Sequence, residues 1–165
     1  MGFWKPRKTV ETGDRCPDFD LPALGGGSQS LKAILESGPA LLAFFKVSCP
    51  VCQFTFPFLE RIHQAAGPGR LRLIAVSQDD ARATRDYNRE YGVTFTTLLD
   101  EAGKGYAVSN AFGISTVPSL FLVEPDGGIS LASAGFVKRD LEAVAERVGA
   151  TPFRPDEYVP EWQAG

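Results

Sequence analysis

Cysteine is scarce in this chain, with three in 165 residues. That is too few for a disulfide framework, so the fold must rest on a hydrophobic core. Histidine is scarcer still, a single residue, His63. Basic charge is not in excess: 17 Lys and Arg stand against 20 Asp and Glu, for a net charge of −3. No phosphate-neutralising surface follows from that balance, and nucleic acid is excluded as the main partner. Long apolar runs are missing as well. The basic start, Met1 to Lys8, leads into Thr9-Val-Glu-Thr-Gly-Asp14, with no apolar stretch that reads as a signal peptide or a membrane span. As it stands the chain is expected in the cytoplasm; a periplasmic or exported location is the alternative if a leader has been removed.

What is present is the composition of an ordinary globular protein, 44% hydrophobic and 22% charged. The length predicts one domain able to bury a core of its own. The 12 Phe, against 4 Tyr and 2 Trp, predict a core rich in aromatic rings.

Along the chain, residues 1–12 read as a loosely held lead-in, 13–149 as the domain and 150–165 as an extended tail carrying Pro152, Pro155 and Pro160. Gly25-Gly26-Gly27 suits a tight reversal. Leu31, Ile34 and Leu35 make a short helical stripe stopped by Gly38-Pro39. Ala40-Leu-Leu-Ala-Phe-Phe45 and Leu71-Arg-Leu-Ile-Ala-Val-Ser77 read as strands buried on both faces. Between them a long helix starts at Pro50, with Phe54, Phe58, Leu59 and Ile62 on its apolar face, a kink at Pro57 and a stop at Gly67. Asp79 or Asp80 caps a helix to about Tyr91, Thr94–Leu99 is a weaker strand, and Asp100 caps a helix through Phe112. Ser119–Val123 and Ile129–Gly135 flank a Pro-Asp-Gly turn and predict a hairpin. The last helix spans about Lys138–Val148. Strand–helix alternation followed by a hairpin predicts an α/β fold: a mixed central sheet with helices on both faces and an N-terminal strand or hairpin extension.

The chemistry concentrates in Cys49-Pro-Val-Cys52, which follows a buried strand and opens a helix. Residues three apart on a helix share a face at about 5–6 Å, a spacing that suits a disulfide. Cys49 falls at the helix N-terminus, where free N–H groups and the helix dipole stabilise a thiolate. Cys52, one turn in, is the weaker acid. Cys49 is therefore the expected nucleophile on a partner disulfide, and Cys52 the thiol that resolves the mixed disulfide. A structural zinc site would need four ligands. The remaining soft candidates are Cys16 and His63, and His63 lies about 16 Å along the helix from Cys52. No metal is expected, and His63 reads as a surface or helix-packing residue.

Cys-x-x-Cys after a strand, with Thr116-Val117-Pro118 far downstream before another strand, resembles the thioredoxin-like superfamily. The resemblance narrows: Gly13-Asp-Arg-Cys-Pro-Asp-Phe-Asp-Leu21 is similar to the opening of the TlpA/ResA-like and peroxiredoxin (AhpC/TSA) branches, and Phe44 to Cys52 resembles the TlpA-like active-site strand and helix. It implies a thioredoxin-like fold and a thiol–disulfide oxidoreductase whose redox group is the Cys49–Cys52 disulfide, with no dissociable cofactor. It also implies a cis Pro118 lining the groove beside Cys49, and a Val117 backbone that pairs with an incoming substrate strand. Partners would be protein or small-molecule disulfides and thiols, together with an electron donor that the sequence does not name.

The pattern has departures. Cys16 stands where the branch has a small residue, and reads as a small buried hydrophobe or as a third redox thiol. Thr55 stands where TlpA-like reductases often carry a Glu, and Ala43 where thioredoxins carry a buried Asp, so the proton route from Cys52 stays open. Lys46 either favours thiolate or points to solvent. A peroxiredoxin-like peroxidase working through Cys49 is the alternative function. Peroxiredoxins place Thr or Ser three residues before that cysteine, however, and Lys46 is there. A metal-delivery domain on the same scaffold lacks the longer cysteine spacing and the well-placed His it would need.

Overall fold

The computed structural model describes residues 8–67 and 69–165. In chain order the elements are β1 (Asp20–Pro22), β2 (Ser28–Ser30), α1 (Leu31–Leu35), β3 (Ala40–Phe45), α2 (Pro50–Ala66), β4 (Arg72–Ser77), α3 (Ala81–Tyr91), β5 (Thr96–Leu99), α4 (Ala107–Ala111), β6 (Ser119–Val123), β7 (Ile129–Ala134), β8 (Phe136–Val137), α5 (Lys138–Glu146) and β9 (Trp162–Gln163). The central sheet has five strands in the order β5-β4-β3-β6-β7. β3, β4 and β5 run parallel, and β6 and β7 are antiparallel to their neighbours. β1 and β2 form the expected N-terminal hairpin.

β3 lies at the centre because every one of its side chains is apolar and buried. Strand alternation then divides it between two cores. Leu41, Ala43 and Phe45 face the core built with α2 and α5, which also holds Cys52 and Tyr87. Ala40, Leu42 and Phe44 face the core that holds Cys16, Phe19, Ile34 and Phe112. The phenylalanines do the packing that their abundance suggests. The Phe44 ring centroid is 4.9 Å from that of Phe112 and 5.8 Å from that of Phe121. Each such ring, fully buried, is worth about 1.5–3 kcal/mol.

Four expectations are corrected. The helix from Asp100 to Phe112 is broken into a 3-10 turn, Ala102–Lys104, and the short α4, because Gly105 (φ 68°) and Tyr106 (φ 50°) are both left-handed. Asp100 still caps, but at a distance: its carboxylate accepts from Val108 N–H at 3.2 Å and Ser109 N–H at 2.7 Å. α5 stops at Glu146 rather than Val148, as the chain tightens into bonds from Arg147 N–H to Val144 O and Val148 N–H to Ala145 O. Phe54, expected on the buried face of α2, is exposed, while Phe56 is buried in its place. The lead-in is not loose in its described part: Val10 N–H donates to Phe112 O at 2.9 Å and Thr9 Oγ1 to Gly113 O at 2.6 Å. Residues 1–7 lie outside the described chain.

The tail docks on α2 and α5. Phe153 packs on Phe58 and Phe136. Arg61 donates to Pro152 O at 2.8 Å and forms a two-armed pair with Glu157 at 2.7 and 2.8 Å. That pairing holds the Glu157 carboxyl down to about 2, the Arg61 hydrogen bond being the main cause. Farther on, β9 pairs with β8.

Candidate active site

The site forms where β3 ends and α2 begins. Pro50 opens the helix and Cys49 is its N-cap. Cys49 Sγ accepts the Cys52 N–H at 3.2 Å, so one of the free amides at the helix start points at the sulfur. The same sulfur lies 3.4 Å from Val117 O, which accepts its S–H. Cys49 is half-buried and Cys52 is completely buried behind it. Burial pushes the Cys52 thiol far above the ordinary cysteine range; its hydrogen bond with Cys49 adds to this, and backbone hydrogen bonds at Lys46 and at Cys52 itself partly oppose it.

The loop between Phe45 and Cys49 is held from two sides. Val47 N–H donates to Asp79 Oδ2 at 2.8 Å, and Val47 O accepts from Gln53 Nε2 at 2.8 Å. Cys49 N–H closes the turn on Lys46 O at 3.2 Å. Of the two candidate caps for α3, Asp80 takes the role through Ala83 N–H at 2.8 Å, which leaves Asp79 for the active-site loop. Val117–Pro118 is a cis peptide, and Pro118 is buried beside the half-buried Val117.

The other expected residues fall outside this cluster or act differently within it. The Lys46 side chain is exposed; the residue reaches the thiols through its backbone. Thr55 is buried, but its hydroxyl donates to Val51 O at 2.6 Å, inside its own helix. Ala43 lines the same core as Cys52 and brings no acid. Asp100, the one fully buried carboxylate among the described residues, is engaged by α4. Cys16 belongs to the core on the opposite face of the sheet, where burial pushes its thiol up to about 12. The structure therefore does not bring Cys16 to Cys49 and Cys52. His63 packs on Phe95 at 5.7 Å. Among the described residues no group of three or more His, Cys, Asp or Glu could hold a metal ion, and no helix is long and apolar enough to cross a membrane.

Sequence reasoning missed three contributors. Asp79 looked like a helix cap, and only the chain's return path aims it at Val47. Gln53 carried no signal. Tyr87 is buried with its ring 4.8 Å from Phe45 and 5.6 Å from Phe56, and its hydroxyl has no hydrogen-bond partner among the described residues. Desolvation raises its pKa first, and the charges of Cys52 and Cys49 raise it further.

A parallel–antiparallel five-stranded sheet, with two thiols one turn apart at the head of the helix after its central strand, defines the class: a thioredoxin-like oxidoreductase. The chain belongs to the AhpC/TSA family, whose model matches residues 12–132. It is 24% identical over 150 residues to the thiol-disulfide oxidoreductase ResA of Bacillus thuringiensis, covering 90% of this chain and 84% of that protein. It is 26% identical over 148 residues to ResA of Halalkalibacterium halodurans, covering 88% and 82%. Among solved structures, the thioredoxin domain of a thiol-disulfide oxidoreductase from Bacteroides vulgatus superposes with a TM-score of 0.73 at 23% identity, covering 86% of this chain and 100% of that one. Peroxidoxin BcpB from Mycobacterium tuberculosis superposes with a TM-score of 0.69 at 19% identity, covering 86% and 99%. At those identities the two structures speak for the fold.

Proposed function

We propose that the chain exchanges disulfides with protein or small-molecule partners through Cys49 and Cys52. The observation that carries this is the asymmetry of the pair: a half-buried sulfur that receives a helix-terminal N–H at 3.2 Å, backed by a fully buried one. The Cys49 thiolate attacks one sulfur of a partner disulfide, and the partner's other sulfur leaves as a thiolate and takes up a proton. Cys52 then loses its proton and attacks Cys49 Sγ. The Cys49–Cys52 bond forms, the mixed disulfide breaks, and the second partner sulfur leaves. Two electrons pass from the dithiol to the partner, and an external thiol donor must restore them. The redox group is the cysteine pair itself, with no dissociable cofactor. Val117 and Pro118 form the wall along which the partner approaches.

The test is a pair of substitutions. Cys49→Ser is expected to abolish exchange, and Cys52→Ser to accumulate mixed disulfides that mass spectrometry places on Cys49. Full turnover by Cys49→Ser would end this reading.

A peroxidase reading has support in the family. It predicts that hydrogen peroxide consumes Cys49 faster than a disulfide does. The exposed Lys46 side chain and the adjacent resolving thiol favour disulfide exchange.

A further inference from the structure

The last residues of the described chain lie on the groove beside Cys49. Gly165 sits against the cis-proline loop so closely that a Cβ there would overlap Val117 O and come within 2.6 Å of Thr116 Cγ2. On the other side, a Cβ on Gly135 would be 2.5 Å from Gln163 O and 3.2 Å from Gly165 N. Gly135 N–H in turn donates to Pro118 O at 2.8 Å. Residues 163–165 are thus wedged between two backbones that only glycines let approach. The covered carbonyl, Val117 O, is the one 3.4 Å from Cys49 Sγ.

The tail is held unevenly. Its first half is clamped by Arg61 on Pro152 and Glu157 and by Phe153 packed on Phe58. Its end has two strand pairs, Phe136 with Gln163 and Val137 with Trp162, and a bond from Lys138 N–H to Glu161 O at 3.0 Å. Residues 161–165 are all exposed, Trp162 among them. Short, solvent-bathed pairings of this kind open at low cost. Pro160, between clamp and end, stands with Tyr158 and Gln163 across a cleft of about 330 Å³ from Pro50, Val51 and Phe54.

We infer that residues 162–165 set the substrate class of this site by size. A small disulfide reaches the half-buried Cys49 with the segment in place. A disulfide carried on a polypeptide must lie along Val117 to present its sulfur, and reaches Cys49 only when the segment swings away from Val117. The inference rests on the exchange reading above. When the gated state is the major one, the apparent rate with a polypeptide is lowered by the fraction open. Removing the segment lifts that reduction and leaves the chemistry of the two sulfurs unchanged.

The experiment compares three reduced proteins: the full chain, a variant lacking residues 162–165, and Gly165→Leu, whose side chain has no room against Val117 O. The leucine variant alters an exposed residue that belongs to neither core, so its folding is not in question. Each is mixed with bis(2-hydroxyethyl) disulfide and, separately, with insulin, and loss of the Cys49 thiol is timed. The shortened chain is expected to react about tenfold faster with insulin, about 1.4 kcal/mol, and within twofold of the full chain with the small disulfide. Gly165→Leu is expected to shift the same ratio in the same direction. Equal acceleration with both disulfides would overturn the gate, because the segment would then only shield the thiol. Slower reaction with insulin would also overturn it, because the segment would then be part of the binding surface. If Cys49 in all three proteins reacts with neither disulfide, the exchange reading itself fails, and the gate with it.

Discussion

Asp79 offers the sharpest test of how the active-site loop is held. Its Oδ2 accepts the Val47 N–H at 2.8 Å across 32 residues of sequence, tying the turn before α3 to the loop that delivers Cys49. A hydrogen bond to a charged acceptor contributes about 1.5–3 kcal/mol, and Asp79 and Val47 are only half-buried, so the lower end applies. Asp79→Ala also leaves the Val47 N–H without its partner. The expected loss is about 1.5 kcal/mol, which for a chain of this size lowers Tm by about 3–6 °C. Asp79→Asn keeps an oxygen acceptor without the charge, and is expected to lose about half as much. Calorimetry or urea unfolding measures the stability. The rate of Cys49 modification by a small disulfide measures the site, and should fall several-fold in the alanine variant with a smaller effect in the asparagine one. A stability change under about 0.3 kcal/mol for Asp79→Ala would refute the tie. So would a full stability loss with an unchanged Cys49 rate, because the loop would then not depend on the bond.

Two further outcomes are expected. Thr55→Val, which removes a hydroxyl already bonded to Val51 O, should leave the pH profile of mixed-disulfide resolution unshifted; a displaced profile would put Thr55 in the proton route. Cys52 is protonated and buried in the folded chain with a raised pKa, while in the unfolded chain it ionises near the ordinary cysteine value of about 8.5. Its contribution to stability is therefore fully present below that value. It is lost as pH rises above it, at no more than about 1.4 kcal/mol per pH unit. Urea unfolding of wild type and Cys52→Ala between pH 8 and 10.5 should show the wild type losing stability more steeply; parallel curves would contradict the assignment.

Much of the scaffold was legible in the chain because its signals are local. Six consecutive apolar residues at 40–45 suit a strand buried on both faces of a sheet, and Pro50 after Cys49 suits the first turn of a helix. Asp80 and Gly92 bracket α3 by capping chemistry that involves neighbours a few residues away. The misreadings came where one residue type serves two ends. The stretch from Asp100 to Phe112 has helical composition, but Gly105 and Tyr106 take left-handed angles that local propensity does not announce. Phe54 and Phe56 are equally apolar, and which of them is buried depends on what packs against α2.

The sequence by itself determined the α/β scaffold and the paired thiols at the head of α2, because strand pattern, helix start and cysteine spacing are properties of contiguous residues; the place of Pro118 came only from the family resemblance. Tertiary structure alone decided the rest. It aimed Asp79 at Val47, put Cys16 on the far face of the sheet, left the Tyr87 hydroxyl without a partner among the described residues, and laid Gly165 on Val117. Each of these joins residues that only the folded path of the chain makes neighbours. The energy of such a contact depends on what surrounds it rather than on the residue that makes it.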